Sequence, residues 1–157
     1  MIHEGVIAQA ATIESKAVIW HRDCAEKPNA DTILLVEDEA FVRQVTCEVL
    51  RAAGYWVLPA KNAEEAKQVY GLHRDNVALL LSDVILPGEN GRTLARSLRH
   101  ENPELKVLMI SGYAEQMGAC AAHEECLAKP FSSAALLRKV GQMLDVRSAK
   151  AAQRRPA

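Results

Sequence analysis

Val77-Ala78-Leu79-Leu80-Leu81-Ser82-Asp83 is an unbroken apolar run closed by a hydroxyl and a carboxylate. A strand with no polar alternation has to be covered on both faces, which favours a central place in a parallel sheet. Three other short apolar runs also end on polar groups: Ile33-Leu34-Leu35-Val36-Glu37-Asp38, Val107-Leu108-Met109-Ile110-Ser111 and Cys126-Leu127-Ala128-Lys129. In an open α/β sheet the carboxyl ends of the strands form the crevice where ligands bind. Asp38, Asp83, Ser111 and Lys129 would then share one edge of one sheet. That set suits a hard cation and a phosphoryl group.

Working outward, helix-like and strand-like segments alternate from Thr32 onward. Phe41, Val42, Val45, Val49 and Leu50 read as the apolar stripe of a helix that stops at Gly54, a natural residue just past a helix end. Tyr55-Trp56-Val57-Leu58 reads as a strand. Asn62 stands three residues before Glu65, a pattern resembling a capping box, ahead of Ala66, Val69 and Tyr70. The loop from Leu86 to Gly91 leads to a helix with Leu94, Ala95 and Leu98, halted near Pro103. Residues 115–125 read as a weak, Ala-rich helix. Ser132 or Ser133 caps a last helix whose inward residues are Leu136, Leu137, Val140, Met143 and Leu144. About five βα units in succession predict an α/β fold: a doubly wound parallel sheet with helices on both faces. The expected organisation is an N-terminal arm and linker over 1–31, partly ordered, one domain over 32–146, and a basic, disordered tail over 147–157.

The chain has 157 residues, 49% hydrophobic and 25% charged, with a net charge of −1, so nothing global points to a membrane or nucleic-acid partner. The cluster Arg147, Lys150, Arg154 and Arg155 reads as a solvated tail, and without aromatic interleaving it gives no nucleic-acid signature. Four cysteines (Cys24, Cys47, Cys120, Cys126) show neither a CxxC pair nor zinc spacing; Cys47 and Cys126 read as small buried hydrophobes. No signal peptide or membrane span is evident, so the cytoplasm is the expected compartment. The sequence contains no Walker-type phosphate loop, no GxGxxG after the first strand and no GxSxG elbow.

Glu37, Asp38 and Asp83 would repel one another unless a cation neutralised them, and Mg²⁺ is the natural candidate because it takes oxygen ligands and few carboxylates. Each has a plainer reading. Asp38 could simply favour a helix N-terminus, and Asp83 could open a turn before Pro87. Lys129 alone would read as a solvated lysine, and Ser111-Gly112 as an ordinary strand end. Their joint placement favours a site.

Together these motifs resemble the receiver domain of two-component response regulators. The matching stretches are Ile33 to Glu39, Leu81 to Gly91, Met109 to Tyr113 and Leu127 to Phe131, and the resemblance spans about Thr32 to Val146. It implies a flavodoxin-like five-stranded sheet of order 2-1-3-4-5. It further implies that Asp83 accepts a phosphoryl group from a histidine kinase or histidine phosphotransfer protein. Mg²⁺ would be bound by Asp38, Asp83 and the backbone carbonyl of Ile85, with Glu37 helping through water. Lys129 would neutralise phosphoryl charge, and Ser111 would bond the attached group and switch the loop after the fourth strand. One position departs from the family pattern. Where receivers commonly carry Tyr or Phe three residues before the strand-five lysine, this chain has Cys126. Tyr113 would lie near the site entrance and modulate hydrolysis.

Only about a dozen residues follow Leu144, so the expectation is a stand-alone receiver, not an enzyme, that signals through phosphorylation-dependent protein contacts. A phosphate sink, a relay intermediate and an unphosphorylated docking protein are the alternatives, and a homodimer stays open. An aspartyl-phosphate phosphatase ranks lower, because Glu37-Asp38-Glu39 lacks the Asp-x-Asp of those enzymes.

Overall fold

The apolar run 77–83 forms β3 (Val77–Asp83), the middle strand of a five-stranded sheet. The computed structural model describes residues 31–112 and 124–153. In it β3 lies between β1 (Thr32–Val36) and β4 (Lys106–Ser111), with β2 (Trp56–Ala60) and β5 (Glu124–Ala128) at the edges. Every pairing is parallel and the order is β2-β1-β3-β4-β5, as expected. The described helices are α1 (Ala40–Ala52), α2 (Ala63–His73), α3 (Gly91–Glu101) and α4 (Ser133–Gln153).

Successive strand side chains point to opposite faces and so divide the core in two. Leu34, Val36, Leu80, Val107 and Met109 meet Ala66 and Tyr70 of α2 and Leu94 and Leu98 of α3. Ile33, Leu35, Leu79, Leu81, Leu108 and Ile110 meet Leu50 of α1 and Leu136, Val140 and Leu144 of α4. The alternation slips once. Thr32 pairs with Val77 but Ile33 pairs with Leu79, so Ala78 is an extra residue in β3. Val77 consequently joins the face opposite to Leu79 although the two are separated by two positions. Leu79, Leu80 and Leu81 are wholly buried, each contributing about 1.5–3 kcal/mol by leaving water.

The helix ends follow from local chemistry. Gly54 has φ +96°, and the Gly54 and Tyr55 amides donate to the carbonyls of Arg51 and Leu50, which is a Schellman closure of α1. Asn62 caps α2 by accepting from the Glu65 amide, while the Glu65 carboxylate accepts from the Lys61 amide, one residue earlier than a capping box has it. Ser132 caps α4 through the Ala135 amide.

Three expectations change. The inward stripe of α1 is Thr46, Cys47 and Leu50, whereas Phe41 is 72% and Val45 42% exposed. Nine residues at 3.6 per turn set Phe41 about 180° from Leu50, so one narrow face cannot bury both. The proposed helix over 115–125 falls mostly outside the described residues, and its last members, Glu124 and Glu125, belong to β5. α4 continues to Gln153, into the stretch read as a disordered tail, because its Ala, Lys and Arg residues are good helix formers. Residues 1–30, and the arm expected there, lie outside the described residues. Among the described residues, no helix is long and apolar enough to cross a membrane.

Candidate functional site

Parallel pairing puts the carboxyl ends of β1, β3, β4 and β5 side by side: Val36 stands opposite Ser82, Asp83 opposite Ile110, and Ser111 opposite Ala128. Glu37 and Asp38 follow β1 directly, Asp83 and Ser111 are the last residues of β3 and β4, and Lys129 follows β5. The chain thus brings together five residues from four separate strands.

Glu37, Asp38 and Asp83 each offer one carboxylate oxygen, and these oxygens all lie within 4.8 Å of one another. Glu37 is buried, Asp83 half-buried and Asp38 exposed, so the cluster opens on one side. The Lys129 ammonium bonds Asp83 Oδ2 at 2.7 Å and reaches Glu37 Oε2 at 3.5 Å. Its main chain is tied to β4, the Lys129 amide donating to the Ser111 carbonyl at 2.8 Å. The Lys129–Pro130 peptide is cis.

The electrostatics are those of anions held close with a single described ammonium among them. Burial pushes the Glu37 carboxyl above its usual value; the Glu39 amide and Lys129 pull it down without cancelling that rise, and Asp83 adds repulsion. Burial works against the Lys129 ammonium, but its hydrogen bond to Asp83 and attraction from Asp83 and Glu37 outweigh it and raise its pKa. Anionic oxygens of this density, open to solvent on one side, match Mg²⁺, which keeps waters and takes a phosphate oxygen beside one or two carboxylates.

The other predicted positions are less fully placed. Ser111 is buried at the end of β4. Ile85 lies two residues past Asp83 in the β3–α3 connection, its side chain 54% exposed. Tyr113 lies outside the described residues. Cys126 requires a correction. It is half-buried against the core face shared with α2 and α3, but its sulfur is disulfide-bonded, so it is not simply a small hydrophobe. Cys47 is free and buried, and burial raises its thiol pKa.

Two residues near the cluster were not singled out from sequence. Arg43 of α1 donates through Nη1 to the main-chain carbonyls of Glu37 and Asp38 at 2.7 and 3.2 Å. Gly91, at the start of α3, packs on β3 where a Cβ would collide with the Asp83 carbonyl oxygen and stand 3.0 Å from Ser82 Oγ. Ser82, wholly buried, donates its hydroxyl to that same carbonyl. Gly91→Ala is therefore expected to push on the main chain of Asp83 and to cost about 1–3 kcal/mol of stability, the usual range for overpacking. A urea titration of the two proteins reads this directly; equal midpoints would show that the contact relaxes freely.

A cleft of about 590 Å³ bordered by Arg99, Leu105, Lys106, Glu124, Glu125 and Lys139 lies at the amino ends of β4 and β5. None of the clustered site residues borders it.

A parallel sheet of order 2-1-3-4-5 with an acidic cluster and a lysine at its carboxyl edge defines a class, and comparison with known proteins agrees. The chain belongs to the response regulator receiver domain family, whose model matches residues 33–141. It is 38% identical over 118 residues to the sensor kinase CckA of Brucella abortus strain 2308, a match covering 73% of this chain and 12% of that protein. It is 31% identical over 116 residues to the response regulator receiver protein CpdR of the same strain, covering 71% of this chain and 95% of that one. Among solved structures it resembles the response regulator TrrA of Thermotoga maritima, in complex with Mg²⁺ and BeF, with a TM-score of 0.65 and 28% identity. That likeness covers 72% of this chain and 98% of the other. Receiver domains of this family bind Mg²⁺ in an acidic pocket, and the cluster of Glu37, Asp38 and Asp83 occupies the matching place.

Proposed function

We propose that this chain accepts a phosphoryl group on Asp83 from a histidine kinase or histidine phosphotransfer protein and signals by phosphorylation-dependent protein contacts. The observation that carries this reading is the Asp83 carboxylate, bonded at Oδ2 by Lys129 and set beside two further carboxylates at an open sheet edge. With Oδ2 engaged, Oδ1 serves as the nucleophile. It forms a new P–O bond as the donor's P–N or P–O bond breaks, and the leaving group departs with the bonding pair. Lys129 stays within reach of the phosphoryl oxygens and offsets their charge. Mg²⁺, when bound, would supply the remaining positive charge against the phosphoryl oxygens. Asp38, Asp83 and the Ile85 carbonyl would hold it directly and Glu37 through water. Ser111, at the end of the neighbouring strand, would bond the attached phosphoryl group and pass its arrival to the β4–β5 side of the domain, where Tyr113 and Cys126 lie in sequence.

Receiver domains of response regulators are mostly signalling domains without enzymatic turnover, and this one is read as such: it transfers phosphate to itself and loses it slowly. We place the domain over residues 32–146, with 1–31 before it and the end of α4 continuing past it to Gln153, and the protein in the cytoplasm, where ATP-fed kinases act. Relay and phosphate-sink roles use the same chemistry. TrrA, of the same fold, crystallised with Mg²⁺ and BeF, and the three carboxylates of Glu37, Asp38 and Asp83 gathered at the sheet edge support the metal assignment.

The test is intact-mass spectrometry after incubation with acetyl phosphate, with Mg²⁺ and with EDTA in its place. A phosphoryl mass gain that requires Mg²⁺ is expected. Folded protein that stays unmodified both with acetyl phosphate and with phosphorylated kinases would favour an unphosphorylated docking module.

The raised Glu37 pKa has its own consequence. At pH 5 a larger fraction of Glu37 is protonated than of an ordinary glutamate, and protons compete with the cation. Mg²⁺ affinity is expected to fall from pH 7 to pH 5, and Glu37→Gln to flatten part of that fall. Calorimetric titrations at the two pH values check it, and equal slopes in both proteins would remove Glu37 as the source.

A further inference from the structure

The loop that carries Glu37 and Asp38 has few of the usual anchors. Glu39, the N-cap residue of α1, makes no side-chain cap bond, and the first turn of α1 holds no acidic residue. Two contacts replace them. Glu37 Oε1 accepts the Glu39 amide at 3.1 Å, closing the loop from within. Arg43, one turn into α1, folds back so that a single guanidinium nitrogen bonds the carbonyls of Glu37 at 2.7 Å and Asp38 at 3.2 Å. Its own amide donates to the Glu39 carbonyl at 2.9 Å as part of the helix ladder. One half-buried side chain thus fixes the main chain of both residues that present β1-side carboxylates to the cluster.

The geometry points to Arg43 as a positioning residue that orders the Glu37–Asp38 loop for Mg²⁺, so that its removal weakens metal binding although it removes a positive charge from the neighbourhood. This rests on the metal reading proposed above. The two contributions of Arg43 have opposite signs. A fixed cation near a divalent ion repels it, so loss of charge alone would tighten Mg²⁺ binding. A ligand loop held in place by outer contacts binds better, and loss of such contacts commonly weakens metal affinity about 10–100-fold. Two charge-assisted hydrogen bonds to the loop, set against a cation open in part to solvent screening, make the ordering effect the larger.

Isothermal titration of Mg²⁺ into wild type, Arg43→Met, Arg43→Lys and Asp38→Asn separates these effects, with urea unfolding in EDTA reporting stability apart from metal. Arg43→Met keeps the aliphatic stem and is expected to bind Mg²⁺ about tenfold or more weakly. Arg43→Lys, still a donor to carbonyls, should recover part of that loss, and it carries the test if Arg43→Met does not fold. A role confined to stability would lower the urea midpoint while leaving the Mg²⁺ affinity of the folded protein unchanged, and that result overturns the inference, as does tighter binding by Arg43→Met. Wild type that takes up no Mg²⁺, or Asp38→Asn that binds as well as wild type, overturns the underlying metal reading and Arg43 with it.

Discussion

Asp83→Asn is expected to take up no phosphoryl group from acetyl phosphate or a kinase while remaining folded. An amide oxygen bears no formal charge and is a far weaker nucleophile than a carboxylate, so the in-line attack loses its nucleophile. The same substitution removes one of three carboxylates whose oxygens lie within 4.8 Å of one another, and with it part of their mutual repulsion. Lys129 keeps Glu37 as a counter-ion at 3.5 Å. Stability without metal is accordingly expected to hold, and Mg²⁺ affinity to fall because one anionic ligand is gone. Intact mass and urea unfolding measured on the same preparation check both halves. Phosphoryl uptake by Asp83→Asn equal to that of wild type would place the acceptor elsewhere.

Lys129→Ala is expected to slow phosphoryl uptake about a hundred- to a thousandfold, the usual cost of removing one preorganised group from developing charge. The ammonium bonds Asp83 at 2.7 Å from a main chain tied to β4, so the variant loses a placed charge. Its absence also leaves the buried Glu37 carboxylate facing Asp83 with no ammonium of the described residues in the cluster, which raises the Glu37 pKa further. Lys129→Ala should therefore be less stable than wild type at neutral pH without metal, and Mg²⁺ should narrow the difference. Initial rates of mass gain, with thermal unfolding in EDTA and in Mg²⁺, read these effects. An unchanged rate would remove Lys129 from the transfer step.

Much of this was legible in the chain because buried parallel strands are written as apolar runs. The run Leu79, Leu80 and Leu81 favoured a central strand, and a carboxylate, hydroxyl or lysine just after such runs pointed to one shared sheet edge. What was not legible turns on rotation and on main-chain contact. Phe41 and Val45 carry the right residue type for a core stripe, but α1 turns Thr46, Cys47 and Leu50 inward, and only docking on the sheet sets that rotation. Ala78 gives no sign that it is an extra residue in its strand. Cys126 reads as a hydrophobe by its strand position, and its disulfide depends on chain proximity that spacing does not reveal. Arg43 and Gly91 act on carbonyl oxygens, which every residue possesses, so neither composition nor periodicity marks them.

The acyl phosphate on Asp83 is tested most directly by reduction. Borohydride converts an aspartyl phosphate to homoserine, so protein treated with acetyl phosphate and Mg²⁺, reduced and digested, should show homoserine at position 83 by tandem mass spectrometry. The label should vanish when EDTA replaces Mg²⁺. Homoserine at another carboxylate, or none in protein that has gained phosphoryl mass, would contradict the assignment of Asp83 as the acceptor.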